Sequence, residues 1–137
     1  MEQLIIASDV KSPQVDFDPV TGLLVLTGRS IPENSYELYK PILAWMAAYV
    51  QQPAPSTVLE FKLNYFNSSS AEYILDMLRH LKKLADTGHT VACRWYFDAE
   101  DEDMQQIAQD FETILGMPIQ KVIIEPAEED EDDDDDS

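Results

Sequence analysis

The chain has 137 residues, of which 45% are hydrophobic and 26% charged, with a formal net charge of −18. That length builds one domain with a real core and not two, and nine basic residues set among 27 acids form no stripe able to neutralise phosphates, which argues against direct nucleic-acid binding. No apolar run approaches the roughly 20 residues of a membrane helix, the N-terminus lacks a basic stretch ahead of a long apolar one, and Cys93 stands alone; a cytoplasmic protein without membrane insertion, internal disulfide or multi-cysteine metal site is expected.

Leu4–Ala7 reads as a short first strand. Val15–Asp18 and Leu23–Gly28 are β-type runs on either side of Pro19-Val20-Thr21-Gly22, whose Pro and Gly mark a hairpin turn. Gly28-Arg29-Ser30-Ile31-Pro32 is expected to break the second of these strands. From Ser35 to Val50, Tyr36, Tyr39, Leu43, Met46 and Val50 recur at three- and four-residue spacing, the mark of an amphipathic helix. Pro41 inside it predicts a kink or a later start. Residues 51–55, with two prolines, read as a loop, and Thr57–Leu63 as a largely apolar strand from the middle of a sheet.

Asn64-Tyr65-Phe66 leads into Asn67-Ser68-Ser69-Ser70 and then a long helical pattern. Ala71, Ile74, Leu75, Leu78, Leu81 and Leu84 form its apolar stripe, and Gly88 ends it. Thr90–Phe97 returns to strand with Val91, Cys93, Trp95 and Phe97 on one face. Met104, Ile107, Ala108, Phe111, Ile114 and Leu115 mark a third helix, stopped at Pro118, and Ile119–Ile124 is a last strand. The order β-β-β-α-β-α-β-α-β predicts a single α/β domain over residues 1–124. It has a mixed sheet, an N-terminal antiparallel hairpin and parallel pairing through helical crossovers in the second half. Residues 125–137, EPAEEDEDDDDDS, hold ten of the 27 acids and no base, so seventeen acids face nine bases in the rest, a net −8. A like-charged block with almost nothing apolar to bury predicts a disordered tail.

Nothing in the chain assembles an active site. His80 and His89 lack a nearby nucleophile or ligand set, and the four glycines are not clustered into a phosphate loop. Asp98-Glu100-Glu102 lacks the central Gly and terminal Glu spacing of a calcium loop, and acids in a first helical turn complement the helix dipole without a metal. No cofactor or metal is expected. The Asn-Ser-Ser-Ser corner has two uses. Asn and Ser are preferred N-caps, worth ~1 kcal/mol over Ala. Yet three serines exceed what one cap needs, and unpaired N–H groups at a helix start also favour an anion.

Ile31-Pro32-Glu33-Asn34-Ser35-Tyr36-Glu37-Leu38, Leu63-Asn64-Tyr65-Phe66-Asn67-Ser68-Ser69-Ser70 and Arg94-Trp95-Tyr96-Phe97-Asp98 together resemble the SiaC-family regulatory phosphoproteins over about residues 1–124. The resemblance implies a non-catalytic member of a bacterial partner-switching module. A dedicated protein kinase phosphorylates one Thr or Ser, a PP2C-type phosphatase reverses this, and the unmodified form binds and activates a diguanylate cyclase. The acceptor carries over to Ser68, with Ser69 and Ser70 as competitors. The surface that partners read is expected at Glu33, Asn34, Tyr36, Tyr65, Asn67, Ser69, Ser70 and Arg94, with Arg94 as the candidate base to meet the phosphate. The logic also resembles anti-sigma-factor antagonists of the STAS type. Binding of a basic partner by the acidic segment is a further alternative.

Overall fold

Over residues 1–124, the span that the computed structural model describes, alternation of apolar and polar residues resolves into nine elements. They are β1 (Leu4–Ile6), β2 (Gln14–Phe17), β3 (Leu23–Ser30), α1 (Ser35–Tyr49), β4 (Ser56–Phe66), α2 (Ser68–Asp86), β5 (Thr90–Asp98), α3 (Glu102–Leu115) and β6 (Gln120–Ile124). The expected disordered tail over 125–137 lies outside the described residues. The six strands pair in chain order, antiparallel from β1 to β3 and parallel from β3 to β6. The mixed sheet, the hairpin and the element order are those expected. Each parallel crossover advances the sheet by one strand in the same direction, and right-handed connections then place all three helices on one face.

The core lies between that face and the helices. Leu24 and Leu26 of β3, Leu59, Phe61 and Leu63 of β4, and Cys93, Trp95 and Phe97 of β5 point into it, each two residues from the next. Trp95 sits at its centre, with ring centroids 5.1 Å from Phe61 and 5.8 Å from Phe111 of α3. The opposite face carries no helix among the described residues.

Three local expectations are corrected. Strand β3 does not break at Gly28. Gly28 adopts φ 114°, the register shifts by one residue there, and pairing resumes with Arg29 opposite Tyr65 and Ser30 opposite Phe66. That bulge lets β4 run on to Phe66, three residues beyond the expected end. Pro41 neither interrupts nor delays α1, because it lies on the helix's exposed side, where the carbonyl it leaves unpaired can meet water. Third, the buried stripe of α1 is Tyr39, Ile42, Met46 and Tyr49, and Tyr36 is 52% exposed. Both stripes share Tyr39 and Met46. The observed one wins because it seats Tyr49 where its hydroxyl meets Thr57 Oγ1 at 2.8 Å and accepts from the Ala54 amide at 3.1 Å.

The hairpin turn between β2 and β3 is fixed by Gly22, at φ +78°, whose carbonyl accepts from the Val58 amide at 2.8 Å. A Cβ at this position stands 2.0 Å from the Ser56 carbonyl oxygen. Gly22→Ala therefore combines left-handed strain with a backbone clash and is expected to lower stability by about 2–4 kcal/mol. Urea denaturation checks this, with a shifted midpoint at unchanged slope as the expected result.

Candidate functional site

Strands β3 and β4 run parallel and end at the same edge of the sheet, so the two helices that follow them start side by side. The Asn67 amide donates to the Ser30 carbonyl at 3.0 Å, joining the strand ends. Asn34 caps α1, its side-chain oxygen accepting from the Glu37 amide at 3.2 Å. Asn67 caps α2 in the same way, accepting from the Ser70 amide at 3.0 Å and from the Ser69 hydroxyl at 3.1 Å. Both caps are asparagines with extended backbone, the geometry that lets a side chain reach the third helical N–H.

The three serines that share this corner have three different environments. Ser70 is 0% exposed. Its hydroxyl donates to the Ser30 carbonyl at 3.1 Å and meets the Ser30 hydroxyl at 2.9 Å, and Ser30 in turn meets Tyr39 OH at 2.7 Å. The donor order follows: Tyr39 gives to Ser30 Oγ, Ser30 Oγ to Ser70 Oγ, and Ser70 Oγ to the Ser30 carbonyl. Every hydroxyl in this buried chain is satisfied. Ser69 is exposed, but its hydroxyl donates to Asn67 and lies 2.6 Å from that of Ser35, linking the first turns of α1 and α2. Ser68 is the first residue of α2 and exposed, and its hydroxyl has no protein partner among the described residues. No acidic residue occupies the first turn of α2, so the positive end of its dipole is not offset there.

Around these serines, Glu33 and Asn34 are exposed and Tyr65 is 59% exposed. Glu33 pairs with Lys11 at 3.1 Å, and the Lys40 ammonium lies 5.5 Å from the centroid of the Tyr36 ring. Arg94 is not brought here. It lies on the helix-free face, where its guanidinium donates to Glu60 at 2.9 Å. Glu60 is six residues before the end of β4, about 20 Å along the strand. The sequence reading had the alternation of β5 correct but no means of knowing which residue of β4 stands opposite. It also missed Ser30, Ser35 and Tyr39. A serine just before a strand end is a weak signal, and nothing in the linear pattern ties residue 30 to residue 70.

Among the described residues no three His, Cys, Asp or Glu side chains gather as metal ligands. His80 meets the Asp76 carbonyl and His89 the Thr87 hydroxyl, both local contacts. Burial pushes the Cys93 thiol up to about 12, as expected of an unreactive core cysteine.

Burial likewise raises the Tyr39 hydroxyl above its ordinary value of 10.0, against the lowering effect of its contacts with Ser30 and Ser70. The folded protein therefore holds this proton where the unfolded chain releases it, and the stability it contributes is present below pH 10 and lost as pH rises through the folded value. Tyr39→Phe is expected to cost about 1 kcal/mol at pH 8 through the lost hydrogen bond. Urea denaturation at pH 8 and above pH 10 should find the difference from wild type narrowing at the higher pH.

The family model for SiaC family regulatory phosphoproteins matches residues 6–124. An uncharacterized protein of Pseudomonas aeruginosa (strain UCBPP-PA14) is 30% identical over 118 residues, 86% of this chain and 94% of that protein. The crystal structure of apo-SiaC from Pseudomonas aeruginosa is similar at a TM-score of 0.82 and 28% identity, over 89% of this chain and 99% of that one. The SiaC chain in the crystal structure of the diguanylate cyclase SiaD with its activator SiaC, from the same species, matches at 0.80 and 28%, over 90% and 99%.

Proposed function

Because the chain belongs to the SiaC family of regulatory phosphoproteins, we propose that it is a non-catalytic cytoplasmic switch whose unmodified form binds and activates a diguanylate cyclase. A protein kinase turns it off by phosphorylating Ser68, and a PP2C-type phosphatase restores it. The similarity to a SiaC chain solved in complex with a diguanylate cyclase supports the choice of effector. The observation that carries the choice of residue is the division of labour among the serines. Ser68 alone presents an exposed hydroxyl with no protein partner among the described residues, whereas Ser70 is buried and Ser69 is held by Asn67 and Ser35.

In the unmodified state the cyclase packs on a neutral surface made by Ser68, Tyr65, Tyr36 and the two asparagine caps. Phosphorylation adds about −1.5 to −2 charges at the start of α2, where the dipole favours it by ~0.3–1 kcal/mol. Residues 1–124 already carry a net −8, and Lys11 and Lys40 are engaged by Glu33 and the Tyr36 ring. Burying that dianion against the cyclase then costs several kcal/mol, and each ~1.4 kcal/mol is tenfold in affinity. Throwing a switch from 1:99 to 99:1 takes about 5.5 kcal/mol, within reach of one phosphate.

Titration of the purified cyclase should find Ser68→Ala binding as wild type does and Ser68→Glu at least about tenfold weaker, a difference of ~1.4 kcal/mol. Equal affinities for the two variants would overturn the mechanism. Mass spectrometry after incubation with the kinase should place the phosphate on Ser68, and Ser68→Ala should abolish it while Ser69→Ala leaves it.

A further inference from the structure

We propose that a groove at the start of β5 receives an extended, uncharged apolar peptide segment of another protein, which adds to the sheet there as a short strand. The inference rests on neither the family nor the role of Ser68. Thr90 pairs with Ser56, ten residues before the end of β4, so the groove lies about 33 Å along the strand from the Ser68 corner, at the other end of the sheet.

The strands are staggered at this place. β5 pairs with β4 from Thr90 onward, but with β6 only from Arg94, which stands opposite Gln120. The first four residues of β5 therefore have a strand on one side only. Alternate residues of a strand send their N–H and C=O to opposite sides, so part of this stretch aims its backbone away from β4 at no other strand. The chain entering β6 is held off it. Pro118 has no N–H to give. The Ile119 amide donates to Glu112 Oε2 at 2.7 Å, and the Ile119 carbonyl accepts from the Lys121 ammonium at 3.2 Å. Lys121 also pairs with Glu112, which closes the clamp. With its donors absent or engaged, this stretch does not extend β6, and about 13 Å of the β5 edge is left open.

A cavity of about 530 Å³ lies against that open edge, within the size range of specific ligand sites. Ala85 of α2, Val91 of β5, and Met117 and Pro118 of the loop before β6 line it, with His89 and Gln120 among its polar members. No Asp, Glu, Lys or Arg lines it, on a chain in which these make up 26% of the residues. A charged occupant loses its hydration there and meets no counter-charge. That excludes this chain's own residues 125–137, with their ten acids. An apolar cavity alone suits any hydrocarbon. The open edge adds main-chain donors and acceptors, which an extended backbone matches and a hydrocarbon leaves unpaired. Every second side chain of the added strand then packs on the apolar walls while the others face solvent. The groove thereby selects a segment with apolar residues at alternate positions.

The test titrates the isotope-labelled full chain with an acetylated, amidated tetrapeptide of sequence Val-Thr-Val-Thr. Saturable shifts are expected at the amides of Thr90, Val91, Ala92 and Gln120, with those of Asn67 and Ser68 unmoved. Only one phase of an added strand's N–H groups faces β5, so methylating alternate backbone nitrogens of the peptide should have unequal effects. One phase should bind at least about tenfold more weakly, through lost main-chain bonds, and the other within about twofold of the parent. Ala85→Leu, which narrows the groove with a good helix former, should also weaken binding at least about tenfold without lowering the urea midpoint. No saturable shift, shifts elsewhere, or equal effects of the two methylation phases overturn the proposal. So does a dimer in sedimentation that the peptide dissociates, because the occupant is then a second copy.

Discussion

The corner of this protein depends on one junction, the meeting of the ends of β3 and β4 at Ser30 and Asn67. A single amide-to-carbonyl bond of 3.0 Å ties the strands there. Ser30 also anchors a buried chain of hydroxyls running from Tyr39 of α1 to Ser70 of α2. A sheet edge, two helix starts and two caps are thereby fixed by groups that lie within hydrogen-bonding distance of one another. Because the hydroxyls of Ser30, Tyr39 and Ser70 are buried and paired, loosening any one leaves its neighbour unsatisfied, and that asymmetry holds the corner more firmly than the net worth of each bond.

The junction exists because of the bulge at Gly28. Ser30 stays in phase with Leu24 and Leu26 and so points toward the helices; the one-residue shift, which leaves Asn64 of β4 without a partner on β3, is what brings Phe66 opposite it. The shift therefore decides which β4 residue stands beside Ser30 and where β4 delivers Asn67. The same parity argument assigns the other residues of the strands to a face that no helix covers. A sheet whose parallel crossovers all advance in one direction has this consequence: the helices cluster on one side, and the opposite side is left to charge and short apolar residues. Glu60 illustrates the cost, since it is nearly buried and needs Arg94, Lys62 and Tyr96 around it.

Much of the fold was legible in the sequence, because long periodic segments announce themselves. The stripe of α2, the alternation of β5 and the Gly88 stop are local signals, and the structure keeps them; in α3 Met104, Ala108 and Phe111 are buried as expected, but Ile114 is 59% exposed. What was not legible is what depends on register. The continuation of β3 past Gly28 rests on a bulge that a run of Gly, Arg and Ser does not reveal. The choice between two overlapping stripes in α1 was decided by Thr57, a residue on another element. Arg94 was placed on the right strand but at the wrong end of the argument, since only the pairing with β4 brings it to Glu60. At the candidate site the Asn-Ser-Ser-Ser motif marked the place, and Ser30, Ser35 and Tyr39, far earlier in the chain, gave the place its stiffness.

Capping and phosphate acceptance are two uses for one corner, and from composition alone they compete for the same serines. In the proposed switch the two uses fall to different residues. Asn67 does the capping, so the α2 start is secured without help from Ser68. Ser70 belongs to the core and Ser69 to the seam with α1, so each has a structural duty that a phosphoryl group would break. Only a hydroxyl with no such duty can be neutral or doubly charged while the fold beneath it stays the same. A residue at the first helical position meets that condition when its neighbour is the cap, because the dipole is still felt there while the hydrogen bonds are made elsewhere. Under the proposed switch, three serines in a row are three separate requirements met by one residue type, and the freedom of Ser68 follows from the commitment of the other two.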